Sequence, residues 1–483
     1  MNYRLISNII AKTLLVEVLF MVPALFIALA QGEMNAVFGF FVTMALALVL
    51  SGLTLLIFRP KRNDLYARDG LFAVGLTWIV LSLVGALPFL LSGCIPSYID
   101  CVFETVSGFT TTGSTILTDV EIMPRGILYW RSFTHWLGGM GVLVFVMTLS
   151  SLTPKDSGKS MHLLRAESPG VIITKLVPRM RSSAAILYAI YFGLTVLEFI
   201  LLAFGRMPVF DNICLTFGTA GTGGFGVLND SVASYSPYCQ WVITIFMILF
   251  GVNFNVYFLL LMGRFRKALG SEEVRVYLLI IATAIAVIVF NIRSVIPDFW
   301  ENLRHSSFTV ASIISTTGFG TVDFNLWPQL SKSILLTLMI IGACAGSTGG
   351  GVKVVRILVI FKAAKRAVIK MIRPKTVRLI NVEGEALEED TVQAVTSYMI
   401  IYFMLIALFV LLVSINNLDF ETSFSAVLAC LNNIGPGMAA VGPTANFAAL
   451  SNLSKIVLTI AMLIGRLEIY PILLFFIPST WKK

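Results

Sequence analysis

Four short clusters of threonine, asparagine and glycine are the residues in this sequence best suited to chemistry. They are Thr110-Thr111-Thr112-Gly113-Ser114, Ala220-Gly221-Thr222-Gly223-Gly224-Phe225-Gly226, Thr316-Thr317-Gly318-Phe319-Gly320 and Asn433-Ile434-Gly435-Pro436-Gly437. Aligned on Gly113, Gly223, Gly318 and Gly435, they recur about a hundred residues apart, each after a half-apolar stretch. Glycine admits left-handed and extended backbone that a β-carbon would block. Four such segments meeting at one centre can offer a ring of carbonyl oxygens that replaces the water shell of a cation. The residues expected in that ring are Thr111, Thr112 and Gly113, then Gly221, Thr222 and Gly223, then Thr316, Thr317 and Gly318, and finally Asn433, Ile434 and Gly435.

Other readings of the glycines fare worse. Gly221 to Gly226 matches G-x-G-x-x-G, but no strand precedes it and no βαβ unit surrounds it. Gly346 to Lys353 departs from a phosphate-binding loop, because the lysine comes one residue late and no Ser or Thr follows it. Close helix packing would explain one cluster, not four in matching positions. No HExxH, GxSxG or clustered His/Asp set is present, so the chain does not read as an enzyme. His135, His162 and His305 are scattered, and the six cysteines lack metal-site spacing, although Cys94 and Cys101 leave a bridge open.

Two further features stand apart. Ala343 to Gly351 interrupts an apolar run with four glycines, each costing a helix about 1 kcal/mol, so the run is expected to break there and resume over 352–371. A hinge, a packing kink or a loop would each satisfy this pattern. Arg466 sits in the middle of the last apolar run, where a charge marks either function or an internal salt bridge, with Glu468 as one partner.

Elements that position these residues must be membrane helices. Hydrophobic residues make up 57% of the chain, charged residues only 13%, and mean hydropathy is +0.89. A soluble domain is about 25% charged, so the natural solvent here is a bilayer. Ten apolar runs of spanning length lie at about 5–30, 36–58, 71–93, 127–150, 184–205, 238–263, 274–292, 331–345, 394–415 and 455–478. The first is too long for the core of a cleavable signal. Residues 31–35 join the first two tightly; the other eight form four pairs whose connections (about 94–126, 206–237, 293–330 and 416–454) hold the clusters. Each connection is expected to contain a short helix that dips halfway through the membrane and points its partly negative C-terminal end at the centre. Asp100, Glu104, Asp211, Asp298, Glu301, Asp419 and Glu421 precede or open these half-helices and suit N-capping, with attraction of cations as a second use.

The expected fold is thus all-α integral membrane: four linked helix–pore-helix–filter–helix repeats around one pore, plus an N-terminal two-helix hairpin. The boundaries fall at 1–69 for the hairpin, then 70–180, 181–270, 271–390 and 391–483 for the repeats. Basic residues gather at Arg59, Lys61, Arg62 and Arg68, at Lys155, Lys159, Arg165, Lys175, Arg179 and Arg181, at Arg264, Arg266 and Lys267, along Lys353 to Arg378, and at Lys482 and Lys483. The positive-inside rule places these segments and both termini in the cytoplasm. The same charge does not read as nucleic-acid binding, because it sits at the ends of spans and no binding module accompanies it.

The stretches SGFTTTGST (107–115), TAGTGGFG (219–226), ISTTGFGT (314–321), GACAGSTGGGVKVVR (342–356), LNNIGPG (431–437) and MLIGRLEIYPIL (462–473) resemble those of the bacterial Trk/Ktr potassium uptake subunits, most closely the TrkH/TrkG type. The resemblance covers the whole chain, including the extra N-terminal hairpin. It implies K⁺ as the transported ion, an inner-membrane location, and no organic cofactor in this chain. One glycine per repeat goes with K⁺ selectivity in that family, and all four positions are glycine here, while Gly221 and Ser114 are departures that leave Rb⁺ or some Na⁺ passage open. The resemblance further implies that Ala345, Gly346, Ser347, Thr348, Gly349, Gly350 and Gly351 form an intramembrane gating loop beneath the filter. Arg466 would stand in the pore as a barrier to cations. Homodimers, and docking of a separate cytosolic nucleotide-binding ring of the TrkA type near Arg373–Asp390, are also implied. A carrier coupling K⁺ to H⁺ or Na⁺ is the alternative within the same superfamily, but carriers usually show inverted repeats and these repeats read parallel.

Overall fold

The computed structural model describes residues 2–58, 67–152, 180–375 and 378–476. The expected cytoplasmic residues Arg59, Lys61, Arg62, Lys155, Lys159, Arg165, Lys175, Arg179, Lys482 and Lys483 lie outside the described residues. Among the described residues the architecture is helical, apart from a hairpin of two short antiparallel strands, Asn381–Val382 and Glu385–Ala386. Among the described residues, six helices are long and apolar enough to cross a membrane: Tyr3–Ala30, Met34–Ile57, Arg68–Leu91, Ile186–Phe204, Glu272–Asn291 and Glu389–Ser414. Large apolar side chains such as Phe26, Phe38, Leu279 and Leu411 stand exposed on them, as lipid-facing helix surfaces require.

The N-terminal pair forms a tight hairpin that packs on the first repeat. Gly32, at φ +72°, turns the chain between its helices. Glu33 then accepts from the backbone N–H groups of Arg125 (2.6 Å) and Gly126 (3.0 Å), supplying orphan donors at the start of the helix Arg125–Leu152 with an anion.

Each long connection contains a half-helix: Tyr98–Phe109, Val209–Gly221, Phe299–Ile314 and Phe420–Leu431. At 1.5 Å per residue these are about 18 to 24 Å long, too short to cross. Asp298 and Asp419 cap the third and fourth by accepting from Glu301 N–H (2.7 Å) and Thr422 N–H (2.9 Å). The other acidic residues do different work. Asp100 pairs with Lys455 at 2.7 Å, Asp211 accepts from the Tyr235 hydroxyl at 3.0 Å, and Glu421 pairs with Lys332 at 3.3 Å.

Of the helices returning from the half-helices, Arg125–Leu152 is continuous, the third breaks at the glycine-rich interruption as expected, and the second and fourth break where unbroken spans are expected. The 238–263 run is two helices, Pro237–Phe250 and Phe254–Leu261, bent by 92°. Asn253 starts the second by accepting from Asn255 N–H at 3.0 Å. The 331–345 run stops at Ile341, and helix resumes at Val354–Ile372 after an irregular stretch. The 455–478 run stops at Arg466, turns through Glu468 and Ile469 at φ +55° and +71°, and restarts at Tyr470–Phe476. Averaged hydropathy is blind to such breaks because they span only a few residues. All six cysteines are free, so Cys94 and Cys101 are not bridged.

Candidate functional site

The four half-helices end alike. Thr111, Thr222, Thr316 and Asn433 adopt left-handed backbone, with φ of 53°, 55°, 62° and 55°. Their N–H groups donate to Gly108, Thr219, Ile313 and Cys430 carbonyls, three residues back. The next residues, Thr112, Gly223, Thr317 and Ile434, donate to Ser107, Gly218, Ser312 and Ala429 at 2.8, 2.8, 2.8 and 2.9 Å. This is the Schellman closure of a helix, occurring four times. Glycine usually occupies the left-handed position, and a β-branched residue there is an outlier costing about 1–2 kcal/mol. The surrounding structure holds it in place. The Thr222 hydroxyl donates to the Gly221 carbonyl (2.6 Å), and Asn433 Nδ2 donates to the Thr112 hydroxyl and the Met462 carbonyl, both at 2.9 Å.

Two residues beyond each closure the backbone is left-handed again, at Gly113 (φ 81°), Gly224 (78°), Gly318 (88°) and Gly435 (106°). These glycines bring the clusters together. A β-carbon on Gly113 would overlap the Gly223 carbonyl oxygen; on Gly224, that of Thr317; on Gly318, that of Ile434. On Gly435 it would lie 2.8 Å from the carbonyl oxygen of Thr112. The order runs from cluster one to two, three, four and back to one, so the segments close a ring. The four oxygens come from the residues that make the 2.8–2.9 Å closing bonds, one per cluster.

This geometry corrects the register of cluster two. Sequence alignment paired Gly223 with Gly113, whereas dihedral angles and closing bonds pair Thr222, Gly223 and Gly224 with Thr111, Thr112 and Gly113. Gly221 is the last residue of its half-helix, and Gly224 belongs to the ring. The signal was present in the sequence as a Thr/Asn-x-Gly pattern common to all four clusters.

Behind clusters one and two lies a buried support that the sequence reading did not assemble. Glu104 pairs with Arg131 at 2.6 Å, both nearly inaccessible. Glu104 also accepts from the Thr115 hydroxyl and Ile116 N–H, each at 2.9 Å, while Arg131 donates to the Gly226 carbonyl at 3.0 Å. The Arg131 guanidinium lies 3.5 Å over the Phe225 ring, which stacks on His135 at 4.1 Å. His135 in turn fills the space beside Gly223 that a β-carbon would need.

The glycine-rich interruption lies against the half-helix ends. Gly350 N–H donates to the Thr316 hydroxyl at 2.6 Å, and Gly351 N–H to the Asn432 carbonyl at 3.1 Å. Gly349 abuts the Ser315 carbonyl. The loop also touches the bend of the second repeat: Cys344 N–H donates to Gly251 (3.0 Å) and Phe254 N–H to Gly346 (3.0 Å). Arg466, half-buried, donates to the Thr348 carbonyl (2.8 Å) and to the Gly138 carbonyl (2.7 Å), joining the loop to the first repeat. Glu468 pairs with Arg356, whose guanidinium also lies 4.1 Å over Tyr398.

A family model described as TrkH, cation transport protein, matches residues 36–483. The chain belongs to the TrkH family. Among curated TrkH relatives, the Trk system potassium uptake protein TrkH of Halomonas elongata is 34% identical, with all of both chains covered. That of Salmonella typhimurium is 36% identical over 88% of each chain. The crystal structure of the potassium transporter TrkH from Vibrio parahaemolyticus covers all of both chains at 30% identity, with a TM-score of 0.89. TrkH proteins are transporters, not enzymes, and this chain is a membrane protein of that fold.

Proposed function

We propose that this chain takes up K⁺ across the bacterial inner membrane, through a filter built from Thr111–Gly113, Thr222–Gly224, Thr316–Gly318 and Asn433–Gly435. The observation that carries the reading is the closed ring, in which the carbonyl oxygens of Thr112, Gly223, Thr317 and Ile434 each lie against the ring glycine of the adjoining cluster. Left-handed backbone stands on either side of these residues, and a ring of such carbonyls is the arrangement that strips and re-solvates a cation. Half-helix C-terminal ends beneath it add partial negative charge. The function of these relatives, potassium uptake, supports K⁺ as the transported ion. The chain binds no organic cofactor in this reading.

The loop from Ala345 to Gly351 closes the path under the filter, and Arg466 adds a positive charge there. Its hydrogen bonds to Thr348 and Gly138 support a role in seating the loop as well. The positive-inside rule puts the termini, the basic helix Val354–Ile372 and the 381–386 hairpin in the cytoplasm. The four-repeat division proposed from sequence, 70–180, 181–270, 271–390 and 391–483, follows the four half-helices. A homodimer is part of the proposal, and a separate nucleotide-binding ring is its regulator. Part of the 373–390 segment is engaged internally, since Glu383 and Glu389 bind within the chain, while Glu385 and Glu388 are exposed.

Flux of ⁸⁶Rb⁺ into proteoliposomes, competed by K⁺ and by Na⁺, tests the function. Uptake blocked by K⁺ and largely indifferent to Na⁺ is expected; no uptake with every cation, or equal competition by Na⁺, would overturn it.

A further inference from the structure

Glu273 is a buried carboxyl in the first turn of Glu272–Asn291, and its side chain accepts hydrogen bonds from backbone and amide donors of other elements. One oxygen, Oε1, accepts from Ala345 N–H at 2.7 Å and from Val355 N–H at 3.2 Å. These two donors bracket the whole glycine-rich loop: Ala345 stands at its beginning and Val355 in the first turn of the helix that follows. The other oxygen, Oε2, lies 3.5 Å from Asn253 Nδ2, at the bend of the second repeat. A single side chain thus gathers both ends of the loop and the neighbouring bend. The helix that carries it is itself tied to the strand hairpin. Glu383, at the hairpin turn with φ +55°, accepts from Glu273 N–H at 2.9 Å and from the Ser271 hydroxyl at 2.8 Å.

We propose that Glu273 is the latch that holds the loop seated under the filter, and that the 381–386 hairpin works the latch through Glu383. The proposal rests on the reading of the loop as the gate. Its logic is differential: hydrogen bonds made only in the seated state bias the equilibrium toward closure by their own free energy. Two N–H donors on one carboxyl oxygen, at two points ten residues apart in sequence, cannot both be kept if the loop swings away. Pulling the hairpin outward would withdraw Glu383 from the start of the helix and shift Glu273 with it. Glu273 is a positioning residue in this account, touching the loop and not the ion.

The test is basal ⁸⁶Rb⁺ flux of the full-length protein in proteoliposomes, for Glu273→Ala, Glu273→Gln, Glu383→Ala, a deletion of Gly346–Gly349, and the deletion combined with Glu273→Ala. Glu273→Ala is expected to raise basal flux about tenfold, because the net worth of one intramolecular hydrogen bond, about 1.4 kcal/mol, is that factor in an equilibrium. Gln retains an oxygen acceptor and should fall between Ala and the parent, and Glu383→Ala should also raise flux. The deletion should raise flux by itself, and adding Glu273→Ala to it should change nothing further. Competition by Na⁺ should be unaltered in the Glu273 and Glu383 variants, which a general loosening of the pore would not allow. Raised flux on deletion with parental flux in Glu273→Ala and Glu273→Gln overturns the latch and leaves the gate standing. No rise on deletion overturns the gate itself. A Glu273→Ala protein that aggregates on size exclusion leaves Glu273→Gln to decide, and parental flux in that variant rejects the latch.

Discussion

The backbone N–H of Gly350 donates to the Thr316 hydroxyl over 2.6 Å, so the glycine-rich loop bonds directly to the left-handed residue at the base of the third filter segment. The proposed gate and the proposed filter are therefore one hydrogen-bonded unit. A β-carbon on Gly350 would overlap the Asn432 carbonyl oxygen. Gly350→Ala should unseat the loop and raise basal ⁸⁶Rb⁺ flux several-fold, while Gly193→Ala, where a β-carbon meets nothing within 4 Å, should leave it unchanged.

Ring closure makes a prediction about selectivity. Gly113→Ser places a side chain at φ 81° and against the Gly223 carbonyl, displacing one oxygen of the ring. Discrimination between K⁺ and Na⁺ should fall by about tenfold or more, the factor that 1.4 kcal/mol makes between two ions. Gly224→Ser should do the same by displacing the Thr317 carbonyl, and the measurement for both is Na⁺ competition against ⁸⁶Rb⁺.

Arg466→Ala removes a charge and two hydrogen bonds, to Thr348 and Gly138. Flux should increase several-fold with selectivity retained, because neither bond goes to a ring carbonyl. Arg466→Lys keeps the charge and loses the two-pronged geometry, so its flux should lie between the two. Parental flux in Arg466→Ala would remove the barrier role.

Glu104 and Arg131 form a buried pair behind the filter. Removing one partner leaves a charge without compensation and should destabilise the protein by about 3–5 kcal/mol. Glu104→Gln and Arg131→Met should each lower the thermal midpoint in detergent markedly, and the double variant should lose less than the sum of the two. Full additivity would show that the pair does not act as a unit.

By contrast, Arg366 and Glu389 pair at 2.8 Å on the surface, with Glu389 more than half exposed. Such pairs contribute about 0–1 kcal/mol. Arg366→Ala should move the thermal midpoint by no more than a degree or two, in contrast to the buried pair.

The sequence by itself determined which residues could build a dehydrated-cation path and that the chain is rich in helices apolar enough to cross a membrane. Both properties are local: a glycine admits left-handed backbone wherever it stands, and an apolar run seeks lipid wherever it stands. The half-helices were legible for the same reason, as was the break over Ala343–Gly351. Register and partnership were decided only by tertiary structure. Whether Gly223 or Gly224 joins the ring depends on where the half-helix closes, and Gly221 is compatible with either position until the Gly218 carbonyl receives its donor. The bend at Gly251–Asn253 exists because a neighbouring element supplies a partner for the backbone it frees, the Cys344 N–H for the Gly251 carbonyl. Glu104 reads in the sequence as an acidic residue near a helix start and nothing there singles out Glu273; only contacts across 27 and 72 residues of chain give them their work. A pattern can state what a backbone is able to do, but hydrogen bonds between distant segments choose among the possibilities, and their free energy is not written in either segment alone.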